Sequence, residues 1–399
     1  MWSRIRSYEC TIAMILTTWI LSIRRPDQFS HPQFWAEDGS VFYEMAKSFG
    51  MEALFAPYAG YFHTYQRFVA QISSLLPAVF APEIFLIATI FMVWFVIWLI
   101  YRPELKIKYK FFIVLMMSLI PHDGEVLVQL LNVQFFMAVG GLCLLLMDEP
   151  KSRLTKWIIR FSVILFSFTG PFMIMWLPIS VLYHSVAKWN RNTMIRHLGP
   201  AVAILFIVIA SSNSDNAFGL KSGRLADFSD YVIFLGRRTF GELLIESRVI
   251  GNFNHWISTA LLVLFSIYIL VVSFRAKNLL PFIFLAAGLA PLLAAEIKHR
   301  YDVGFILRST YDRYTFVSSV FITTSFFQTV NRKKHWTFIL ALLFFINAAR
   351  ISYTSNLFVM DRPDLKWRNS ADCFDHNETC KVHIHPEAWE VVKPGRWHY

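Results

Sequence analysis

Charged residues are scarce in this chain. Only 16% of its 399 residues are Asp, Glu, Lys or Arg, whereas a soluble domain carries roughly 25%. The sequence also contains no P-loop, no glycine-rich dinucleotide motif and no HExxH zinc motif. It shows no Ser/His/Asp arrangement of the kind that activates a nucleophile. These absences exclude the common soluble nucleotide-binding enzymes and zinc peptidases.

Cysteine is also rare, with four residues in the chain. Cys10 and Cys143 fall in apolar segments, where a thiol acts as a small hydrophobic filler. Cys373 and Cys380 are seven residues apart near the C-terminal end, in the stretch CFDHNETC. They are expected to form a disulfide if that part of the chain faces an oxidising compartment.

Hydrophobic residues, by contrast, make up 56% of the chain, and aromatic residues 17%. Long apolar runs recur between short polar or basic breaks. Lipid requires backbone groups to hydrogen-bond within each spanning segment, so this pattern predicts an all-α polytopic membrane protein. The predicted spans are 8–23, 84–101, 110–121, 133–147, 157–169, 172–188, 198–211, 255–273, 279–295, 315–330 and 336–352.

The formal charge of +11 has a simple explanation in such a protein. Lys and Arg concentrate in every second break, as the positive-inside rule requires of cytoplasmic loops. Nucleic acid is therefore not expected as a partner. The basic and then apolar N-terminal segment lacks a cleavage site and is read as a retained signal anchor. We predict an integral membrane protein with a cytoplasmic N-terminus and a C-terminus outside.

This topology places three longer regions on the outer side: 24–83, 212–254 and a small tail, 353–399. The tail follows a transmembrane domain of residues 1–352. The segment 66–82 is ambiguous, because counting it as a span would reverse every later segment. We interpret it as a helix on the outer surface. Arg24 and Arg25, at the outer end of the first span, oppose the charge rule.

The first candidate site is the stretch Trp35–Gly39, WAEDG, just after the first span. Phe34 and Trp35 are residue types that favour the bilayer surface. The sequence that follows has apolar residues at helical spacing, which predicts an amphipathic surface helix with one face through Val41. Asp38 has two interpretations. It caps this helix through the next backbone N–H groups, or, with Glu37 beside it, it acts as a general base or binds a cation.

The predicted apolar face of this surface helix continues from Val41 through Met45 and Phe49. A second candidate site is the Asp123–Glu125 pair in the next outer break. Two residues apart in an extended loop, both carboxylates point to one side. They then hold a hard cation such as Mg²⁺ or Mn²⁺, or they simply mark a solvated turn.

Polar and basic residues near the outer ends of spans complete the candidate set. Asn132 and Gln134 bond neighbouring helices or line a cavity. Arg67, Arg300 and Arg313 present guanidinium groups suited to phosphate oxygens. The alternative for the arginines is pairing with nearby acids of the outer loops. Tyr61, in the same stretch as Arg67, is included as a substrate-binding residue.

Five ordered motifs carry a resemblance to a known class. The chain resembles the GT-C class of integral membrane glycosyltransferases, and more narrowly a bacterial group of that class related to O-antigen glucosyltransferases and lipid A aminoarabinose transferases. The resemblance covers roughly residues 30–320. The motifs are FWAEDGSVF, PYAGYFHTYQRFVA, LNVQFFMAVGG, TGPFMIMWLP and DRYTFV.

The resemblance implies a GT-C-like fold with about eleven transmembrane helices and surface helices in the first outer loop. It implies transfer of a sugar from a polyprenyl-phosphate donor to an envelope glycan or lipid acceptor, with inversion at the anomeric carbon. The first-loop carboxylate, Asp38 or its neighbour Glu37, would be the base. Asp123 and Glu125 would hold a divalent metal in members that use one.

Two other functions are compatible with a polytopic envelope protein. A transporter or flippase of lipid-linked glycans would carry charged residues through the middle of its spans. Here the polar residues gather at the outer ends of the spans, which favours the enzyme. A structural subunit of an envelope complex is the third interpretation.

Overall fold

A computed structural model gives the fold. It describes residues 2–120, 125–187, 191–212, 234–236, 239–240, 243, 252–298, 313–331, 335–354, 358–376 and 379–393. Most of the predicted outer loop 212–254 lies outside these residues, as do Asp123 and Arg300.

Helices dominate the described residues, and a small β-sheet lies near the C-terminal end. The long helices are α1 (Trp2–Arg24), α5 (Ala81–Tyr101), α6 (Lys110–Leu119), α7 (Val133–Leu146), α8 (Arg153–Ser167), α9 (Phe172–Ala187), α10 (Arg191–Ser212), α11 (Asn252–Ala276), α12 (Leu280–Lys298), α13 (Arg313–Thr329) and α14 (His335–Thr354). The shorter ones are α2 (Pro26–Ser30), α3 (Glu44–Phe49), α4 (Thr64–Ser74) and α15 (Trp367–Ser370). A π-helix covers Asp38–Tyr43, and 3₁₀-helices cover Gly50–Phe55, Ala78–Phe80 and Ala371–Phe374.

Each of the eleven predicted spans coincides with one of the long helices. Among the described residues, three helical segments are long and apolar enough to cross a membrane: Ala78–Tyr101, Trp256–Ala276 and His335–Thr354. Large apolar side chains on these helices face outward, including Ile87 and Phe91, which are 67% and 61% exposed. The structure is thus compatible with an all-α membrane protein.

The breaks that lack basic residues lie together at one end of the helical bundle. Thr64 N–H donates to the Phe168 carbonyl, 3.1 Å away, which joins the first loop to the turn between α8 and α9. The Ser352 hydroxyl donates to the Ile120 carbonyl, 3.2 Å away, which joins the end of α14 to the end of α6. This end is called the first-loop end below.

The basic breaks lie together at the opposite end. Asp148 N–H donates to the Glu104 carbonyl at 3.0 Å, and Lys108 N–H donates to Gln328 Oε1 at 3.0 Å. If residues 66–82 formed an additional span, α5 would run in the opposite direction. The break between α5 and α6 would then lie at the first-loop end. The alternation of helix directions predicted from the charges is therefore the one observed.

Helix α4 covers the first part of the ambiguous segment 66–82. With 11 residues it is about 16 Å long, roughly half the thickness of a hydrocarbon core. Two of its large apolar side chains point outward, since Phe68 is 55% and Ile72 is 42% exposed, while Arg67 and Gln71 are buried together with Tyr65, Val69 and Ala70. An outward apolar face is compatible with a helix at a lipid surface.

The segment after the acid motif is helical, but it begins as a π-helix (Asp38–Tyr43) before α3. Phe49, on the predicted apolar face with Val41 and Met45, is 58% exposed, while Phe42 and Tyr43 are buried. A face that rests on a bilayer is exposed on the protein itself, so the outward position of Phe49 is compatible with the predicted surface helix. The wider π-helical turns depart from the 3.6-residue period assumed for the segment.

Arg24 and Arg25, which oppose the charge rule, have structural partners. Arg24 is fully buried, and its Nη1 donates to the carbonyls of Ser118 and Ile120 at 2.8 and 3.0 Å. It thereby satisfies carbonyls at the C-terminal end of α6 that have no helical partner. Arg25 forms a buried two-bond pair with Asp27, with distances of 3.0 and 2.9 Å.

The C-terminal tail contains a hairpin that was not predicted. Strands β1 (Cys380–Ile384) and β2 (Trp389–Lys393) pair antiparallel. The expected disulfide between Cys373 and Cys380 is present. Trp367, 2% exposed, packs edge-on against Phe34 with ring centroids 4.7 Å apart.

These contacts correct the prediction that Phe34 lies at the bilayer surface, since this ring is 1% exposed. Trp35 is half-buried, and the Arg362 guanidinium of the tail lies over its ring. Lys47 of the first loop pairs with Asp375 of the tail at 2.9 Å. The tail and the first loop therefore form one layer over the first-loop end of the bundle.

Candidate functional site

The acid motif is held between the bundle and the tail hairpin. Ala36 N–H donates to the His385 carbonyl at 2.5 Å, and Ala36 itself has a φ of +41°. A Cβ on Gly39 would lie 2.7 Å from Val391 and 2.8 Å from Ile384 of the hairpin. Glycine is required here because the hairpin approaches its backbone so closely.

Asp38 is buried, with 3% of its surface exposed. Its Oδ2 accepts the Leu130 N–H at 3.0 Å, and its Oδ1 accepts the Leu131 N–H at 2.7 Å. The interpretation of Asp38 as a helix cap was therefore wrong, because its carboxylate accepts no hydrogen bond from the helix that follows. The carboxylate instead ties the first loop to the segment before α7.

That segment, residues 126–132, is a buried stretch without regular structure. A buried loop is unusual because its backbone polar groups lose water. Side chains supply several of the missing partners: Arg25 donates to the Leu127 carbonyl at 2.9 Å, and Gln66 to the Leu131 carbonyl at 3.0 Å. Asp38 is thus one of several residues that hold this loop.

Asn132 also hydrogen-bonds residues of this buried segment. Its Nδ2 donates to the Glu125 carbonyl at 2.7 Å and to Gln129 Oε1 at 3.0 Å. Gln134 is 6% exposed and lies against Gly170, where an added Cβ would meet its Oε1 at 2.5 Å. Both side chains therefore face protein. Asn132 bonds residues of its own segment rather than a neighbouring helix, and Gln134 lies against the turn before α9.

Glu37 has a different environment from Asp38. It is half-buried, and its Oε1 accepts a hydrogen bond from the Tyr58 hydroxyl at 3.2 Å. Burial raises the pKa of Tyr58 to about 12; Glu37 adds to this rise, while the charge of Arg313 opposes it. Arg313 Nη1 in turn lies 3.2 Å from Glu125 Oε1.

The structure thus brings together three of the predicted residues, Glu37, Glu125 and Arg313, with Tyr58, which was not predicted. Glu37 and Glu125 come from different segments, and Tyr58 and Arg313 connect them. No group of three or more His, Cys, Asp or Glu is placed to hold a metal among the described residues. Arg313 already neutralises Glu125, which disfavours a divalent cation at that carboxylate.

Arg67 is buried without an acidic partner in the described part of the chain. It is 2% exposed, and its Nη1 and Nη2 lie 3.6 and 3.8 Å from Met45 Sδ. Its guanidinium lies 5.4 Å from the centroid of the Phe42 ring. Burial lowers the pKa of Arg67 to about 10, so the side chain stays charged at neutral pH.

Tyr61 lies in a tight turn beside this arginine. Tyr58 and Tyr61 exchange backbone hydrogen bonds of 3.0 and 3.2 Å, and the two residues between them have φ values of +52° and +86°. The first of those is Ala59, for which a positive φ is unfavourable. Such strain is concentrated at functional sites in many proteins.

The sequence missed Tyr58 and His63, although both lie in the quoted motif PYAGYFHTYQRFVA. The turn signal was present in Ala59-Gly60, since a positive φ favours glycine. Nothing in the spacing indicated that the turn would fold back over the helix that carries Arg67.

Comparison with protein-family models finds no match, and none of the curated proteins or solved structures compared with the chain matches it either. The resemblance to the GT-C class therefore depends on the sequence motifs alone.

The environment of Asp38 predicts a pH-dependent stability. Burial raises its pKa to about 7, against the opposing effect of the Leu131 and Leu130 N–H groups. The folded state binds this proton more tightly than the unfolded state, so the proton stabilises the folded state fully below about pH 4. This contribution to the free energy of unfolding, about 4 kcal/mol at most, is lost as the pH rises through 7.

We expect the melting temperature of the wild-type protein to fall relative to that of Asp38→Asn as the pH rises from 5 to 8. The comparison isolates Asp38, because every other titrating group is shared. Thermal unfolding in detergent at each pH measures it. A difference that is constant with pH would show that Asp38 does not titrate in this range.

Proposed function

We propose that the protein is an integral membrane glycosyltransferase of the GT-C type. It would transfer a sugar from a polyprenyl-phosphate donor to an envelope glycan or lipid on the outer face of a bacterial inner membrane. The observation that carries the proposal is the meeting of Glu37, Tyr58, Arg313 and Glu125 at the first-loop end of the bundle.

The position of this cluster fits a lipid-linked substrate. The first loop, which carries two residues of the cluster, also exposes apolar side chains, among them Met51 (64%), Phe55 (75%) and Leu75 (77%). A polyprenyl chain stays in the bilayer, so its phosphate and sugar lie at headgroup depth. We propose that eleven helices span the membrane with the first-loop end outside, as the basic residues at the other end require.

Within this proposal Glu37 is the favoured base. The pKa of Asp38 suits proton transfer at neutral pH, but both of its oxygens are engaged by backbone N–H groups in a closed environment. Glu37 is accessible, and a base must reach the acceptor hydroxyl. Asp38 then positions the segment that carries Glu125. Arg67 and Arg313 would stabilise the charge on the departing phosphate.

The other predicted substrate-binding and metal-binding residues have less specific roles in this proposal. Tyr61 would contact the sugar from the turn above Arg67, and Arg300 would add positive charge. A divalent cation such as Mg²⁺ or Mn²⁺ at Asp123 and Glu125 is a secondary proposal, since the ion pair with Arg313 would have to open to admit it.

Deleting the gene tests the function. We expect the deletion strain to lose one sugar from a surface glycan or lipid and to accumulate a polyprenyl-phosphoryl sugar in the outer leaflet. Periodate applied to intact spheroplasts would oxidise the accumulated lipid there. A flippase would leave the lipid in the inner leaflet, protected from periodate. Unchanged glycans and lipids would contradict both functions.

A further inference from the structure

His63 is a buried histidine to which the mechanism above assigns no role. It is 1% exposed, and neither of its ring nitrogens has a hydrogen-bond partner among the described residues. The backbone of Tyr58 lies close enough to oppose the lowering of its pKa, but no bond of ordinary geometry forms. Burial and the charge of Arg67 lower the pKa of His63 to about 3, so the ring is neutral at physiological pH.

Aromatic rings surround this imidazole. The ring centroids of Phe42, Tyr58 and Tyr61 lie 5.2, 5.8 and 5.0 Å from that of His63. Tyr58 and Tyr61 are half-buried and belong to the strained turn, so they form the outer wall of the cluster. Because His63 is 1% exposed, a ligand would reach it only with an outward movement of this turn.

Arg67 follows His63 by one helical turn, so the two side chains lie on the same side of α4. The Nε of Arg67 is also without a hydrogen-bond partner in the described part of the chain. Buried polar atoms without partners are rare in native proteins, because such atoms lose their water without a replacement. Three such nitrogens in two neighbouring side chains indicate a site that is completed by a ligand.

The chemistry of the two side chains defines that ligand. A neutral imidazole offers one donor and one acceptor, which a hydroxyl group satisfies at once. A guanidinium offers donors only and suits an anionic oxygen. Aromatic rings pack against the C–H faces of a sugar ring. A phosphate with a sugar beside it carries all three features.

We propose that His63 hydrogen-bonds a hydroxyl group of the donor sugar while Arg67 binds the adjacent phosphate. The inference rests on the proposed function and extends it, because it makes His63 the residue that distinguishes a sugar-carrying lipid from the bare polyprenyl phosphate. His63 is then a specificity-determining residue, and the Tyr58–Tyr61 turn forms the wall of the sugar site.

Lipid binding to the full chain in detergent tests this assignment. The probes are polyprenyl monophosphate and a panel of polyprenyl-phosphoryl hexoses, with Kd values taken from the rise in melting temperature. We expect the wild-type protein to bind at least one hexose lipid more tightly than the monophosphate. His63→Phe keeps the ring packing and should weaken hexose-lipid binding roughly 10-fold, the effect of one hydrogen bond. Its Kd for the monophosphate should not change.

Arg67→Gln should weaken the binding of both lipids. His376→Phe, a change at an exposed tail histidine, is the matched control and should alter neither. Where His63→Phe does not fold, His63→Leu takes its place. Equal losses for both lipids in the His63 variant, or no loss for either, would overturn the assignment. A wild-type protein that binds neither lipid would overturn the proposed function as well, which separates the two failures.

Discussion

The Glu37→Gln variant is expected to fold like the wild-type protein and to lose sugar transfer by roughly 100-fold to 10,000-fold, the usual contribution of a general base. The amide oxygen still accepts the Tyr58 hydroxyl, so the contact seen at 3.2 Å is retained. The proton-accepting charge is lost. Restoration of the surface glycan in the deletion strain measures activity, and thermal unfolding measures stability.

The Asp38→Asn variant shows which of the two neighbouring acids is the base. An amide accepts only one of the two backbone N–H groups and turns its own NH₂ toward the other, at a cost of about 1–3 kcal/mol. Activity and stability should therefore fall together. If Asp38→Asn instead keeps its stability and loses transfer, while Glu37→Gln transfers normally, Asp38 is the base.

Replacing Trp367 with Ala should lower the free energy of unfolding by about 3–5 kcal/mol, the range for a large buried aromatic side chain. The indole is 2% exposed, and its Nε1 donates to the Ala78 carbonyl at 2.9 Å. Its ring also packs against Tyr43 and Phe374, with centroids 6.0 and 5.6 Å away. Thermal unfolding in detergent measures the loss.

Transfer activity should be lost with this stability, because Trp367 joins the tail to the loop that carries the acid motif. Trp157→Ala is the matched control. Its side chain is 60% exposed on α8, so the change should have little effect. A Trp367→Ala protein as stable and active as the wild type would show that the tail is not needed to hold the motif.

The positions of the helices could be predicted from the sequence because apolar runs and basic breaks report directly on burial and helix direction. The local backbone geometry of the first loop could not. The prediction assumed a regular α-helix after the acid motif, whereas the segment begins as a π-helix. Arg24 appeared as an exception to a charge rule, whereas its role depends on carbonyls 94 and 96 residues further along the chain.

The candidate site was predicted in part. The acid motif and Glu125 stood out because charged residues are rare in the chain, and they do approach the same cluster through Tyr58 and Arg313. The roles of the two neighbouring acids could not be separated, since only the fold shows that backbone N–H groups engage both oxygens of Asp38. His63 was missed because one histidine among aromatic residues carries no spacing signal.

The contact between the first loop and the hairpin also has a consequence for the order of events during synthesis. Val392 N–H donates to Glu44 Oε2 at 2.8 Å, across 348 residues of chain. At about 5–20 residues per second, translation needs roughly 20 to 70 seconds to cover that separation. The ribosome thus makes the hairpin long after the acid motif that it encloses. A nascent chain can complete the helices between these two segments and still lack a finished site until the hairpin emerges.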